Sequence, residues 1–289
     1  MTRAASAVRI RLLLLPLGRH AMSMHQPCLR LSLACFLALS LGGCGHHDDK
    51  PATSAHQITS QFLLKPVHLN RRIIQPDCHT HCATITVDSL RFDNAPGLTR
   101  QLEHRQLVLA SDFNENADEA PASLQAFSDR FFAQAAQEHD HHPQTAPYEA
   151  RFEAGIIADH DHLVVVRLDD YVFRGGAHGM PTTAYMVIDT RTQRTVTLND
   201  MLVKGRRDAF DRVLKAAHQR WLKRLDQPLD PEDWPFTSSD NVALMEDDVV
   251  VKYQPYAIAP YAVGQPELHI PYSDLKGIFK PRYLPRDSH

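Results

Sequence analysis

Four groups of residues in this chain have types and spacings that chemistry can use. The first is Cys78-His79-Thr80-His81-Cys82, two thiols and two imidazoles in one short run. In an oxidising compartment, cysteines this close form a disulfide by default, here Cys78 to Cys82. The competing reading is a metal centre, but structural zinc sites use two separated ligand pairs, and one short loop can hardly surround an ion. The second group is a pair of histidine clusters: His139, His141 and His142 with Asp140, and His160 and His162 with Asp159 and Asp161. Such tracts bind zinc, nickel or copper when they converge, and are solvated loop residues when they do not. The third is Gly175-Gly176-Ala177-His178 after an apolar strand. Glycines allow unusual φ and close backbone approach, so His178 would be firmly held, either as a base or ligand or as a partner of its own turn. The fourth is Tyr253–Tyr272, where Tyr253, Tyr256, Tyr261 and Tyr272 alternate with Pro255, Pro260, Pro266 and Pro271 around Gly264. Prolines reduce the conformations a loop gives up on ordering, and tyrosine joins a large apolar body to a polar tip, as binding surfaces do. Tyr256, Pro260, Tyr261 and Gly264 are the candidate partner-binding residues; the other reading makes the tyrosines core pillars.

No nucleophile elbow, Walker loop or His-Glu-x-x-His helix accompanies these groups. The expectation is therefore a binding module with no catalytic residue, cofactor or resident metal. A cell-wall-modifying or metal-binding protein working through His178 and the histidine clusters is the alternative.

The amino-terminal region sets the compartment. Leu31–Leu41 is an apolar run too short to span a bilayer comfortably, preceded by Arg30 and followed by Gly42-Gly43-Cys44. That pattern is a signal peptide over 1–43 ending in a lipobox, with Cys44 as the lipidated residue. Met22 or Met24 would start a signal of more ordinary length. Gly45 stands where an aspartate would favour the inner membrane, so the expected place is the outer membrane, facing the periplasm. The polar stretch over 44–60 reads as a flexible tether. The whole chain has 31 basic and 34 acidic residues. Five arginines and no acids precede Cys44, so the mature chain keeps 26 basic residues against 34 acidic, a net charge of −8. That balance argues against a nucleic-acid partner and suits a cationic one.

These groups need elements to position them. Phe62 and Leu64, then Val67 and Leu69, suggest a strand broken at Pro66, and Ala83, Ile85 and Val87 alternate with polar residues as a second. Leu98–Leu109 and Ala122–Gln137 carry helical spacing, and 138–147 breaks it. Tyr148–Ile156 and Leu163–Tyr171 are strands joined by a turn at 159–162. Thr183–Thr190 and Thr195–Leu198 form a hairpin. A helix starting near Arg206 places Phe210, Leu214, Ala217 and Trp221 on one face. Val242–Leu244, Val249–Tyr253 and Leu268–Ile270 are the last strands, and Ser273 is placed to cap a short helix containing Leu275, Ile278 and Phe279. Strands in runs with single helices between them predict an α+β fold, an antiparallel sheet covered by helices. Two subdomains are expected, 61–142 and 143–289.

Three landmarks then occur in order: Phe173-Arg174-Gly175-Gly176-Ala177-His178; Tyr185–Leu202, in which Asp189 ends a strand and Leu198-Asn199-Asp200-Met201-Leu202 follows the turn; and Tyr256-Ala257-Ile258-Ala259-Pro260-Tyr261-Ala262-Val263-Gly264 before Ile270-Pro271-Tyr272. Together they resemble the extracytoplasmic domain shared by RsiV-type anti-sigma factors and PdaC-type peptidoglycan deacetylases, over about residues 61–280. The resemblance implies an α+β fold and, from the lysozyme-sensing members, a protein partner of the lysozyme-like muramidase class. The expected form is the extracytoplasmic module alone, a lipoprotein without the sigma-binding segment or the deacetylase domain.

Overall fold

The computed structural model describes residues 63–111, 120–142 and 144–285, all within the compact unit Thr53–His289. The expected signal peptide over 1–43, Cys44 and the expected tether over 44–60 lie outside the described residues. The elements, in chain order, are β1 (Pro66–Ile74), β2 (Thr84–Phe92), α1 (Pro96–Leu109), α2 (Leu124–His141), β3 (Glu149–His160), β4 (Leu163–Phe173), β5 (Met180–Asp189), β6 (Arg194–Val196), α3 (Leu198–Met201), α4 (Arg207–Leu222), β7 (Val242–Leu244), β8 (Asp248–Lys252) and β9 (Glu267–Pro271). Strands β1 to β6 form one sheet in sequence order, and β7 to β9 form a second. Every pairing is antiparallel except β2 with β3, which run parallel, Thr84 opposite Glu149. The fold is α+β, as the runs of strands imply.

Alternation decides which face each element buries. The even-numbered residues Val164, Val166 and Leu168 of β4 and Ala184, Met186 and Ile188 of β5 pack with Leu98 and Leu102 of α1. Phe127 and Phe131 of α2 cover Ile85, Val87, Ala150 and Phe152 on the same face. The odd residues Leu163, Val165, Tyr185 and Val187 point the other way, into a core with Phe210, Leu214, Ala217 and Trp221 of α4 and Val249, Val251, Leu268 and Ile270 of the second sheet. Both faces of β4 are therefore covered at Leu163–Val166, which explains four consecutive buried apolar residues where a half-exposed strand would alternate.

Several local features differ from the sequence expectation, each for a physical reason. Pro66 does not break a strand but begins β1, at the sheet edge, where a missing N–H costs no ladder bond. The second helix runs on through Glu138, His139, Asp140 and His141 instead of ending at 137. Histidines in a last turn face the negative end of the helix dipole, so they are tolerated there despite offering no apolar face. At its other end Ser123 accepts the Ala126 N–H at 3.1 Å and starts the helix. Ser273 caps nothing: Tyr272–Leu275 is a single 3-10 turn after Pro271, and Gly277 at φ 74° stops right-handed continuation. The step from 61–142 to 143–289 lies between α2 and β3, and the large sheet is continuous across it through the β2–β3 pairing.

The connection between β1 and β2 is closed by the Cys78–Cys82 disulfide, with Cα atoms 5.6 Å apart. Gln75 N–H donates to Ala83 C=O just outside it, and Gln75 Oε1 accepts Ala83 N–H. The loop is short, so the double serine variant at Cys78 and Cys82 should lose only about 2 kcal/mol of stability. Alkylation mass of the native protein should find no free thiol at either position. Stoichiometric zinc held by free thiols is the contrary result.

Candidate functional site

The site is built from two loops that the sequence keeps eighty residues apart and β5 brings together. The first leaves β4 at Phe173. Gly175 and Gly176 both have φ 84°, a region closed to most side chains, and they turn the chain so that Ala177 and His178 are exposed. Gly179 is buried beneath them, and a Cβ there would overlap the Tyr171 ring. Only glycine lets the loop lie this close to β4.

The second loop joins β8 to β9. Pro260, at φ −64°, leads into a 3-10 turn over Tyr261–Val263, and Gly264 at φ 79° ends it by donating to the Tyr261 C=O at 2.9 Å. The Tyr261 hydroxyl donates to the Gly179 C=O at 2.8 Å. His178 Nδ1 lies 3.1 Å from the same carbonyl, which it reaches as the Nδ1–H tautomer. The His178 and Tyr261 rings stack 3.8 Å apart at 17°. Tyr256 follows at 5.7 Å from Tyr261. It is 49% exposed and sits at φ 68°. A bulky residue in left-handed backbone costs on the order of 1 kcal/mol or more, so its surroundings hold it there. With exposed Ala262 and Val263 alongside, His178, Tyr261 and Tyr256 make an aromatic shelf. A cleft of about 580 Å³, floored by Tyr253, Asn241 and Gln254, lies next to Ala257.

Not every tyrosine of this stretch belongs to the shelf. Tyr253 and Tyr272 are buried, their hydroxyls donating to Thr237 C=O at 2.7 Å and Met245 C=O at 2.6 Å. Burial pushes both phenols above the ordinary tyrosine range. The stretch therefore combines both readings: Tyr253 and Tyr272 are core pillars, and Tyr256 and Tyr261 form a surface.

The residues that hold the shelf escaped the sequence reading. Among the described residues, the β5 edge beyond the short β6 has no strand partner at Thr183 and Tyr185; side-chain amides take that place. Gln254 accepts the Thr183 N–H at 3.1 Å and donates to its C=O at 2.7 Å. Asn241 accepts the Tyr185 N–H at 2.8 Å and donates to the Thr183 C=O at 2.8 Å. Gln265 donates to Gln254 at 3.1 Å, closing the loop's two feet. The available signal was the pair of glutamines standing immediately outside Pro255 and Gly264.

Asp170 was missed as well. It occupies a core-facing position of β4, in phase with Val164, Val166 and Leu168, and is 3% exposed. Gln106 of α1 donates to its Oδ1 at 3.0 Å and to the Glu153 C=O at 3.1 Å, and accepts from Ser89 Oγ at 3.0 Å. Asp170 Oδ2 has no hydrogen-bond partner among the described residues. Burial raises its pKa well above the ordinary aspartate value; the Gln106 bond and the Glu153 backbone oppose the shift, and the charge of Asp169 adds to it. A folded pKa above the unfolded one contributes stability that is complete below the unfolded pKa, about 3.9, and is lost as pH rises from there toward the folded pKa. Asp170→Asn should therefore be more stable than wild type at neutral pH, the gap closing toward pH 4. Urea midpoints of both chains across this range measure it.

The other expected groups are dispersed. His139 and Asp140 line a cleft of about 300 Å³ between α2 and the disulfide loop, with His79 and His81 on its other wall. His160 Nε2 lies 2.9 Å from the Leu244 C=O, tying two hairpins together, and Asp161 and His162 form the β3–β4 turn at positive φ. Among the described residues no three His, Cys, Asp or Glu side chains are placed to hold a metal ion. Nor, among them, is any helix long and apolar enough to cross a membrane.

The family model described as a protein of unknown function, DUF3298, matches residues 199–273, which contain the second shelf loop. The crystal structure of a DUF3298 family protein from Pseudomonas aeruginosa PAO1 is similar over 78% of this chain and 98% of that one, at 34% identity and a TM-score of 0.66. A DUF3298 family member from Bacteroides fragilis NCTC 9343 is similar over 76% of this chain and 94% of its own, at 19% identity and a TM-score of 0.56, a likeness of fold. No curated protein matches the chain.

Proposed function

The chain belongs to the DUF3298 family, whose function is unknown, and on that premise we propose that it is a protein-binding module of the bacterial cell envelope. Lipid on Cys44 anchors it to the outer membrane, and the shelf at Tyr256 and Tyr261 takes the partner. The observation that carries this reading is the stack of exposed His178 and Tyr256 on half-buried Tyr261, which joins two separate motifs in one surface. Interface energy concentrates in a few aromatic anchors, and Pro255, Pro260 and Pro266 hold this loop in place before binding, which lowers the cost of ordering it. The net charge of −8 after Cys44 favours a cationic partner. The resemblance to RsiV-type domains supports a lysozyme-like muramidase in that role.

The full-length chain is titrated with a lysozyme by calorimetry at low and high salt. Saturable binding that weakens several-fold as salt rises is the expected result, because screening shortens the reach of charge. No saturable binding at either salt overturns the muramidase as partner. Cys44→Ser should move the protein from membranes to the soluble periplasm, while unchanged fractionation without lipid label on the wild type overturns the anchor.

A further inference from the structure

We propose that β1 is a docking edge for an extended acidic peptide segment of a partner protein, which adds to the large sheet as a seventh strand. This surface is separate from the aromatic shelf and does not rest on the function proposed for it.

The backbone argument comes first. Among the described residues β1 pairs only with β2, and no described strand lies on its other side. Lys65 C=O accepts from Asp93 N–H, and Gln75 N–H donates to Ala83 C=O. These two bonds set the phase of the antiparallel ladder: odd-numbered residues of β1 bond to β2, and even-numbered ones face outward. The backbone groups of His68, Asn70, Arg72 and Ile74 are therefore free to pair, and all four residues are exposed. Ile74 is an exposed large apolar side chain at 54%.

Charge selects the occupant. Every ionisable side chain of β1 is basic, namely His68, Arg71 and Arg72, and Lys65 precedes them, in a chain that is acidic after Cys44. Among the described residues neither Arg71 nor Arg72 makes an ion pair or a side-chain hydrogen bond. Basic residues on an edge keep a second copy of the same strand away, and the same charges attract a strand carrying carboxylates. Arg71 and Arg72, adjacent in a strand, project to opposite faces, so they meet acidic side chains on both faces of an added strand.

A pocket supplies the remaining specificity. A cavity of about 210 Å³ opens beside β1 between Leu69, Leu90, Leu102, Leu124 and Phe152, with Arg71 in its lining. Strand addition gains affinity from main-chain bonds and specificity from pockets for alternate side chains. The segment that fits places an apolar side chain in this cavity and carboxylates beside it.

The probe is a labelled peptide of about nine residues with a central leucine flanked on each side by two adjacent glutamates, so that both faces carry carboxylates, matched to the length of β1 and added to the full-length chain. The expected result is saturable binding with new hydrogen-exchange protection at the amides of His68, Asn70 and Arg72. The double variant Arg71→Glu, Arg72→Glu should bind about tenfold or more weakly and should instead take the corresponding lysine peptide. Asn70→Pro removes one outward N–H and should also weaken binding at unchanged melting temperature. Should that variant fail to fold, the surface charge reversal still decides. No saturable binding, binding indifferent to the charge reversal, or protein-dependent protection of β1 without peptide, the mark of a second copy, each overturns the proposal.

Discussion

Asn241→Ala should destabilise the protein by about 2 kcal/mol, the cost of leaving a buried donor without a partner. Among the described residues the Tyr185 N–H donates to Asn241 Oδ1, and Tyr185 is buried in the core shared by both sheets. The Thr183 C=O keeps Gln254 and the Lys252 C=O keeps Ser239, so neither adds a full second penalty. Asn241→Asp separates the two halves of the amide. Its carboxylate still accepts from Tyr185 but faces the Thr183 carbonyl where a donor stood, so it should destabilise as well. Urea unfolding measures both variants. A change below about 0.5 kcal/mol, the range of an ordinary surface substitution, would show that the amide is not what closes the β5 edge.

Tyr256→Ala should cost partner binding about 2 kcal/mol or more, near thirtyfold, while stability stays close to wild type. The ring is half exposed and makes no side-chain hydrogen bond among the described residues, so the fold has little invested in it. Tyr261→Ala should weaken binding and stability together, because it removes the bond to Gly179 and the stack on His178. Tyr256→Gly is the sharper control. It removes the ring and also relieves the φ of 68°, so it should bind as poorly as the alanine variant and be more stable than it. A loss of several kcal/mol of stability from Tyr256→Ala would make that residue a core pillar. Stability and binding both unchanged would remove the loop from the interface.

Much of this fold is local enough to be legible in the sequence. Alternation located β2 and β3, the apolar run over Leu163–Tyr171 located β4, and the spacing of Phe210, Leu214, Ala217 and Trp221 gave the buried face of α4. What sequence pattern left out concerns contacts between distant segments. Nothing periodic announces that β2 and β3 lie side by side and parallel, nor that the last hairpin and β9 form a sheet of their own. The shelf shows the same division. Its tyrosines, prolines and glycines were legible because composition marks them. The stacking of His178 on Tyr261 and the closure of the β5 edge by Asn241 and Gln254 depend on tertiary approach and leave no local pattern. Asp170 was legible in principle, as an acid in phase with three apolar residues of one strand.

The parallel seam between β2 and β3 also has a kinetic meaning. Antiparallel neighbours in this sheet are close in the chain, and each hairpin closes a short loop at small entropic cost. The seam is different: Thr84 meets Glu149 only after both α1 and α2 have been spanned. Ordering that intervening length comes before the seam's contacts reward it, so folding is expected to be slower than that of a sheet built from hairpins alone. If the β1–β2 hairpin and the β3–β6 meander form first, the edges of β2 and β3 stay uncovered until the seam closes, and refolding kinetics of seam variants would test that order. Such an interval would be when the chain is most exposed to wrong pairings with other chains.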